Sequence, residues 1–266
     1  MKGVLSVVAF LPLWAGCATA MPSELDDETA TDDQIVGDAA TSPAGAYTYF
    51  QIYADLRRCA SPMCGGWWVE RLNRTATKCY DGEYRESCYV PWLDWSEARL
   101  SDASRAELLQ ACSDGASAPG VVAIVRGRLG PHADPFLPDL GSFVITEAWV
   151  AENDAVSDGV FVRIQDNGLR CFSAPCPHLD EMRLNTHRAT PIDEIDLARA
   201  GLTPGQEEAL VAAEYSERGI LVAGHRYDVY ANGHAGRGRA ITAAYRMLPR
   251  GRTCGTPPVT IDPTGP

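Results

Sequence analysis

Cysteine is the residue type with the most chemistry to offer in this chain, and it occurs nine times in 266 residues. A thiolate can attack a substrate, ligate zinc or close a disulfide, and spacing and compartment discriminate among these. Two pairs share one spacing, Cys59–Cys64 and Cys171–Cys176, and a third, Cys79–Cys88, brackets an Asp81-Gly82 turn signal. Spacings of this order occur in zinc sites, and His178 follows Cys176 closely. Gly66 stands where the first pair would need the matching histidine, however. Structural disulfides are therefore expected, provided the chain folds in an oxidising compartment.

The N-terminus supplies that proviso. Met1-Lys2 is followed by an apolar run from Gly3 to Gly16, the pattern of a secretory leader. The run is shorter than the roughly 20 residues a bilayer span needs. Leu13-Trp14-Ala15-Gly16-Cys17 reads as a lipobox, with Cys17 as the lipidated residue, although Trp14 stands where leucine is usual. The competing route is signal-peptidase cleavage after Ala18-Thr19-Ala20. Either route exports the chain and removes Cys17 from disulfide pairing. The expected domains are a leader over 1–17, an acidic tether over 18–44, repeat units over 45–150 and 158–250, and a Pro/Gly-rich tail over 251–266. The tether has too few apolar residues to offset its ordering entropy.

Sliding the chain on itself exposes an internal repeat. At an offset of 112, Arg58, Cys59, Ser61, Cys64, Arg71, Leu72 and Asn73 meet Arg170, Cys171, Ser173, Cys176, Arg183, Leu184 and Asn185. Further blocks follow in order: Asp94, Ala98, Leu100 and Leu108 at 102, Val122, Ala123 and Arg126 at 100, and Ile145, Thr146, Ala148 and Trp149 at 96. Each unit is expected to pair its own cysteines, with Cys79–Cys88 stapling an insertion peculiar to the first. By elimination Cys112 would hold Cys254.

The element order expected in each unit is β-β-β-α-β-β. Strands are expected over 47–54, 66–73 and 88–95, a helix capped by Ser101 and running to about Cys112, then strands over 121–129 and 143–150. The second unit offers 159–166, 178–185 and 191–197, a helix from Thr203-Pro204 to about Tyr215, then 219–230 and 240–248. Gln206 completes a capping box with Thr203. The loop Ala231–Gly238, with His234 in it, is expected to be a hairpin connection. The fold class is thus α+β, β-dominated and disulfide-stapled. This order suits an OB-like barrel, and equally an open sheet carrying one helix.

No catalytic set emerges. Gly115-Ala116-Ser117-Ala118-Pro119 lacks the second glycine of a nucleophile elbow and follows a helix instead of a strand. Even cysteine parity leaves no spare thiol for a nucleophile. Asp26-Asp27 and Asp32-Asp33 lie in the tether, while Asp193, Glu194 and Asp196 flank a strand. Of the five histidines, four (His178, His187, His225 and His234) fall in the second unit without forming a motif, and His132 lies in the first. Neither a metal nor a cofactor is expected, nor an enzyme. The net charge of −12 argues against nucleic acid and anionic lipid surfaces, so contact with a membrane is expected only through an N-terminal anchor. Aromatics remain: Trp67, Trp68, Trp92 and Trp95 crowd two strands of the first unit. Adjacent strand residues face opposite sides, so one of Trp67 and Trp68 is expected outside the core. There it would either bind a protein or glycan partner or pack against the other unit.

Arg58-Cys59-Ala60-Ser61-Pro62-Met63-Cys64-Gly65-Gly66, with Asn73, Cys88 and Asp94, resembles an uncharacterised exported domain family common in myxobacterial lipoproteins. The resemblance implies location and a fold unit, without an activity. The expected function is that of a lipid-anchored, non-enzymatic envelope protein that binds a macromolecule. The alternative is a secreted inhibitor of an extracellular hydrolase, with the Cys59–Cys64 loop as its reactive edge.

Overall fold

The structure, a computed structural model, describes residues 48–130 and 140–251. Cys17, His132, Cys254, the leader, the whole tether and all but the first residue of the tail lie outside these residues. The protein is β-dominated, with two helices among the described residues. The N-terminal half contributes β1 (Thr48–Ala54), β2 (Trp67–Arg71), β3 (Thr77–Lys78), β4 (Tyr84–Arg85), β5 (Cys88–Val90) and β6 (Trp92–Asp94). Helix α1 (Asp102–Gly115), β7 (Ala123–Gly130) and β8 (Ser142–Ala151) complete it. The C-terminal half contributes β9 (Val160–Asp166), β10 (Leu179–Arg183), β11 (Ala189–Ile192), β12 (Glu194–Asp196), α2 (Pro204–Glu214), β13 (Ile220–Ala231) and β14 (His234–Met247).

All but β3 and β4 join one sheet, whose main path is open and runs β11-β10-β9-β13-β14-β8-β7-β1-β2-β5. Two short strands leave that path, with β6 parallel to β8 and β12 parallel to β14. The third strand expected over 88–95 is therefore two strands. Pro91 has no N–H to donate, so the ladder breaks there and the chain moves from β2 to β8. The strand expected over 191–197 also divides, at Asp193, whose backbone N–H and carboxylate bond Arg237. The connection expected over 231–238 is shorter than anticipated. Asn232 and Gly233 make the turn at positive φ, and His234 already belongs to β14. Between β3 and β4 the stapled insertion folds as a separate hairpin.

The helices start where their caps dictate. Ser101 accepts from Ser104 N–H at 3.1 Å, and Thr203 and Gln206 form the expected box, with Pro204 in the first turn. The pairing registers of the two halves match. Phe50 faces Arg71 and Val125, and Val162 faces Arg183 and Val222. This places Val125 with Val222 at an offset of 97, so the block of residues 122–126 aligns three residues away from the expected 100. A register shift at Gly127 recurs at Gly224, and there a side chain would strike the carbonyls of Val144 and Ala240 respectively.

Each half has its own core, one around Phe50, Val69, Leu108 and Phe143, the other around Val162, Ile164, Leu210 and Ile241. A third cluster joins them through Leu72, Ile124, Trp149, Leu184, Leu221 and Tyr245. Tyr49 packs on Trp149 with centroids 5.6 Å apart, and Phe161 packs on Tyr245 at 6.0 Å, both tilted by 45°.

Candidate functional site

Three expected disulfides are formed: Cys59–Cys64, Cys79–Cys88 and Cys171–Cys176. The fourth expected bridge would join Cys112 to Cys254, and of these two only Cys112 is among the described residues. Cys112 is a free thiol, fully buried on the inner face of α1, and burial pushes its pKa up to about 12. Parity counted it with the bridges, but a buried thiol packs as a small apolar residue. Its expected partner, Cys254, lies outside the described residues. Disulfides are at home outside the cytoplasm, so the three bridges indicate an extracellular or envelope protein. No helix among the described residues is long and apolar enough to cross a membrane.

The tryptophans are not gathered into an exposed surface. Trp67 and Trp95 pack against the N-terminal core, and Trp92 is half-buried in β6. Trp68 lies on the other face, as strand alternation requires, yet it is covered too. Its ring meets Tyr89 edge-on at 5.5 Å, and the Arg57 guanidinium lies 4.8 Å from its centroid. The cover therefore comes from Trp68's own half of the chain.

This cluster holds the Cys59–Cys64 loop. Arg57 forks onto Asp55, Nε to Oδ1 at 2.9 Å and Nη2 to Oδ2 at 2.9 Å. Gly65 N–H also donates to Asp55. The Arg57 hydrogen bond, set against the desolvation of burial, holds the Asp55 carboxyl below its usual pKa. Arg57 Nη2 then donates to Met63 O, and Tyr89 O–H to Pro62 O at 2.7 Å. Within the loop, Met63 N–H donates to Ala60 O. Three loop carbonyls are thus occupied from inside the protein.

The Cys171–Cys176 loop is fastened differently. At the matching positions Asp55, Arg57 and Trp68 give way to Asn167, Leu169 and Asp180. Asn167 donates to Pro177 O at 2.9 Å and to Asp180, Asn232 reaches Ala174 O at 2.9 Å, and His178 N–H donates to Cys176 O. Arg170 pairs with Asp166, and its guanidinium lies 6.0 Å from the Tyr215 ring. The anchors grip the base and the C-terminal side of the loop. At its tip Phe172 is 112% exposed, so its whole side chain stands clear of the protein. Among the described residues no hydrogen bond engages the backbone of Phe172 or Ser173. Leu169 and Tyr215 are exposed nearby, whereas Met63 in the first loop is half exposed, at 55%. Sequence reasoning passed over Phe172. Its one signal was the offset of 112, which sets it opposite Ala60 between unchanged Cys and Ser.

Glu214, on the last turn of α2, matches the position of Cys112. It is buried, and its Oε1 has no hydrogen-bond partner. Burial raises its pKa, His178 opposes that shift and Asp166 adds to it. A raised carboxylate pKa means the unfolded chain ionises first, so stability falls as pH rises above about 4.3, the unfolded value. Glu214→Gln should therefore melt higher than the parent at pH 7 and converge with it near pH 4. A difference in Tm that is constant across that range would show that the carboxylate charge is not the cause.

An open cleft of ≈ 490 Å³ lies between the halves, lined by Gln51, Tyr53, Glu70, Arg71 and Asn73 on one side and Ser157 and Phe161 on the other. Gln51 and Glu70 are hydrogen-bonded to each other across its floor. Among the described residues no group of three His, Cys, Asp or Glu is arranged to hold a metal ion. His225 pairs with Asp158 at 3.1 Å, and His178 Nδ1 lies 2.9 Å from Cys176 O.

The model of a family described as "Domain of unknown function (DUF6748)" matches residues 48–250. No curated protein and no solved structure matches the chain.

Proposed function

We propose that this chain, which belongs to the DUF6748 family, is a non-enzymatic envelope protein that binds a macromolecular partner through its stapled loops. The observation that carries this reading is Phe172, a large apolar side chain held clear of the surface by a closed, hydrogen-bonded loop. Burying such a side chain in a partner's pocket gains much, and little loop entropy is lost on binding. Attachment to a membrane through a lipidated Cys17 belongs to the same reading, supported by the Ala15-Gly16-Cys17 step. The acidic stretch after it would act as the tether. Nucleic acid is not the partner, given the charge of −12.

The same reading takes the two halves as diverged copies of one unit. The matching registers, the paired Gly127 and Gly224 irregularities and the two tilted aromatic pairs support it. In each copy the divided third strand pairs on one side with the second strand and on the other with the last, which supports a small OB-like ring.

The test uses the full mature chain as bait for envelope extracts, compared with Phe172→Ser. A partner retained by the parent should be lost at least about 30-fold in the variant, the effect of removing a hot-spot aromatic. The melting temperature should stay unchanged, because Phe172 touches no core. Equal retention by Phe172→Ser and by Met63→Ser would refute the loops as the binding surface.

A further inference from the structure

We infer that the partner of the Cys171–Cys176 loop is a serine endopeptidase with an aromatic-accepting specificity pocket, which Phe172 enters as a substrate's side chain would. The inference rests on the stapled-loop reading above and adds the chemistry of the occupant.

A peptidase cleft recognises an extended stretch of backbone and one side chain, the latter in a pocket whose lining sets the specificity. The tip of this loop, which bends over residues 172–175, offers that side chain and free backbone groups. Phe172 projects its entire side chain, Ser173 beside it is exposed, and the N–H and C=O groups of both residues are unengaged. Free backbone groups of that kind can pair with the edge of another protein's sheet. Behind the tip, the staple, the Asn232 bond to Ala174 O and the Asn167 bond to Pro177 O fix the loop before it binds. A further restraint is the β13–β14 hairpin, packed so closely that a side chain at Gly236 would strike Pro175.

The closed loop also separates an inhibitor from a substrate. Hydrolysis adds water across the Phe172–Ser173 amide and leaves a Phe172 carboxylate and a Ser173 amine. The Cys171–Cys176 bridge keeps those two ends on one body, so neither product diffuses away. The first loop lacks this geometry: the carbonyls of Ala60, Pro62 and Met63 already accept bonds from within the protein. We therefore place the reactive edge on the second loop and make Phe172 its specificity residue.

Chymotrypsin and trypsin, assayed with small chromogenic peptides, are the probes, against the full mature chain. Competitive inhibition of chymotrypsin and none of trypsin is expected. Phe172→Gly should weaken it at least about 100-fold, as loss of a central aromatic anchor does. Phe172→Arg should transfer inhibition to trypsin, whose pocket carries an aspartate. Unchanged melting of both variants would exclude misfolding as the cause. Absence of inhibition up to about 10 μM, far above the Kd of such complexes, would overturn the inference. So would cleavage after Phe172 as fast as in the reduced, unfolded chain. If envelope capture still depended on Phe172 in either case, the binding reading would stand and only the peptidase would be withdrawn.

Discussion

Glu181→Ala should destabilise the C-terminal half by about 3–5 kcal/mol, the usual consequence of leaving a buried charge without its partner. Glu181 and Arg239 are both fully buried, where the matching positions of the N-terminal half hold Val69 and Phe143. Arg239 donates Nε to Glu181 Oε2 and Nη2 to Oε1 at 2.9 Å, and its Nη1 reaches Gly224 O. Arg226, half-buried, adds Nε to Oε1 at 2.9 Å and stands where the other half has Leu129. Alanine would remove the carboxylate that both guanidinium groups share. Replacing all three at once, Glu181→Val with Arg226→Leu and Arg239→Phe, removes the desolvated charges together. Such exchanges are often neutral or stabilising by about 1–4 kcal/mol. Denaturant unfolding of the single and triple variants decides the matter. A triple variant less stable than Glu181→Ala would show that the two halves do not share interchangeable cores.

Asn73→Ala should lower stability by about 2–4 kcal/mol, through lost hydrogen bonds and an unfavourable backbone angle. Asn73 sits at φ 58° and grips the other half. Its Nδ2 donates to Phe161 O at 2.8 Å and Leu184 O at 3.1 Å, and its Oδ1 accepts from Phe161 N–H at 2.9 Å. Asn185, at φ 61°, returns the grip. It donates to Tyr49 O and Leu72 O, both at 2.8 Å, and accepts from Tyr49 N–H at 2.8 Å. Alanine removes the bonding groups and tolerates the left-handed backbone poorly. Asn73→Gly keeps the angle and should lose about 1 kcal/mol less. Hydrogen exchange gives the sharper readout. The Phe161 amide should lose protection in Asn73→Ala while the Tyr49 amide keeps it, and Asn185→Ala should reverse the pattern. Equal loss at both amides would mean that the joint opens as a whole and that the bonds do not act separately.

The asparagine joint and the buried ion triad differ in how far they could be read from the chain. The identity of Arg71-Leu72-Asn73 with Arg183-Leu184-Asn185 was visible at once, because local similarity needs only the one-dimensional text. Its purpose was not, since a reciprocal joint is a relation between residues 88 or more positions apart. The ion triad left no trace at all. Glu181, Arg226 and Arg239 lie on alternating strands where a charged residue ordinarily faces water, and only the fold turns all three inward. Trp67 and Trp68 failed in the opposite sense. Alternation placed them on opposite faces, as found, but it could not know that Arg57 and Tyr89 would cover the outer one.

The cysteines draw the same line. Cys59–Cys64, Cys79–Cys88 and Cys171–Cys176 pair within short stretches of chain, where proximity in sequence enforces proximity in space, and spacing alone sufficed for them. Cap residues and strand periodicity act over four or five positions and set the helices and most strands for the same reason. Cys112 is different, because whether a thiol meets a partner or a core depends on which face of α1 is buried. Tertiary packing decided that, and it likewise left Phe172 in the open while closing its counterpart loop around Pro62 and Met63. Burial is a property of the assembled surface, and no local pattern in the chain encodes it.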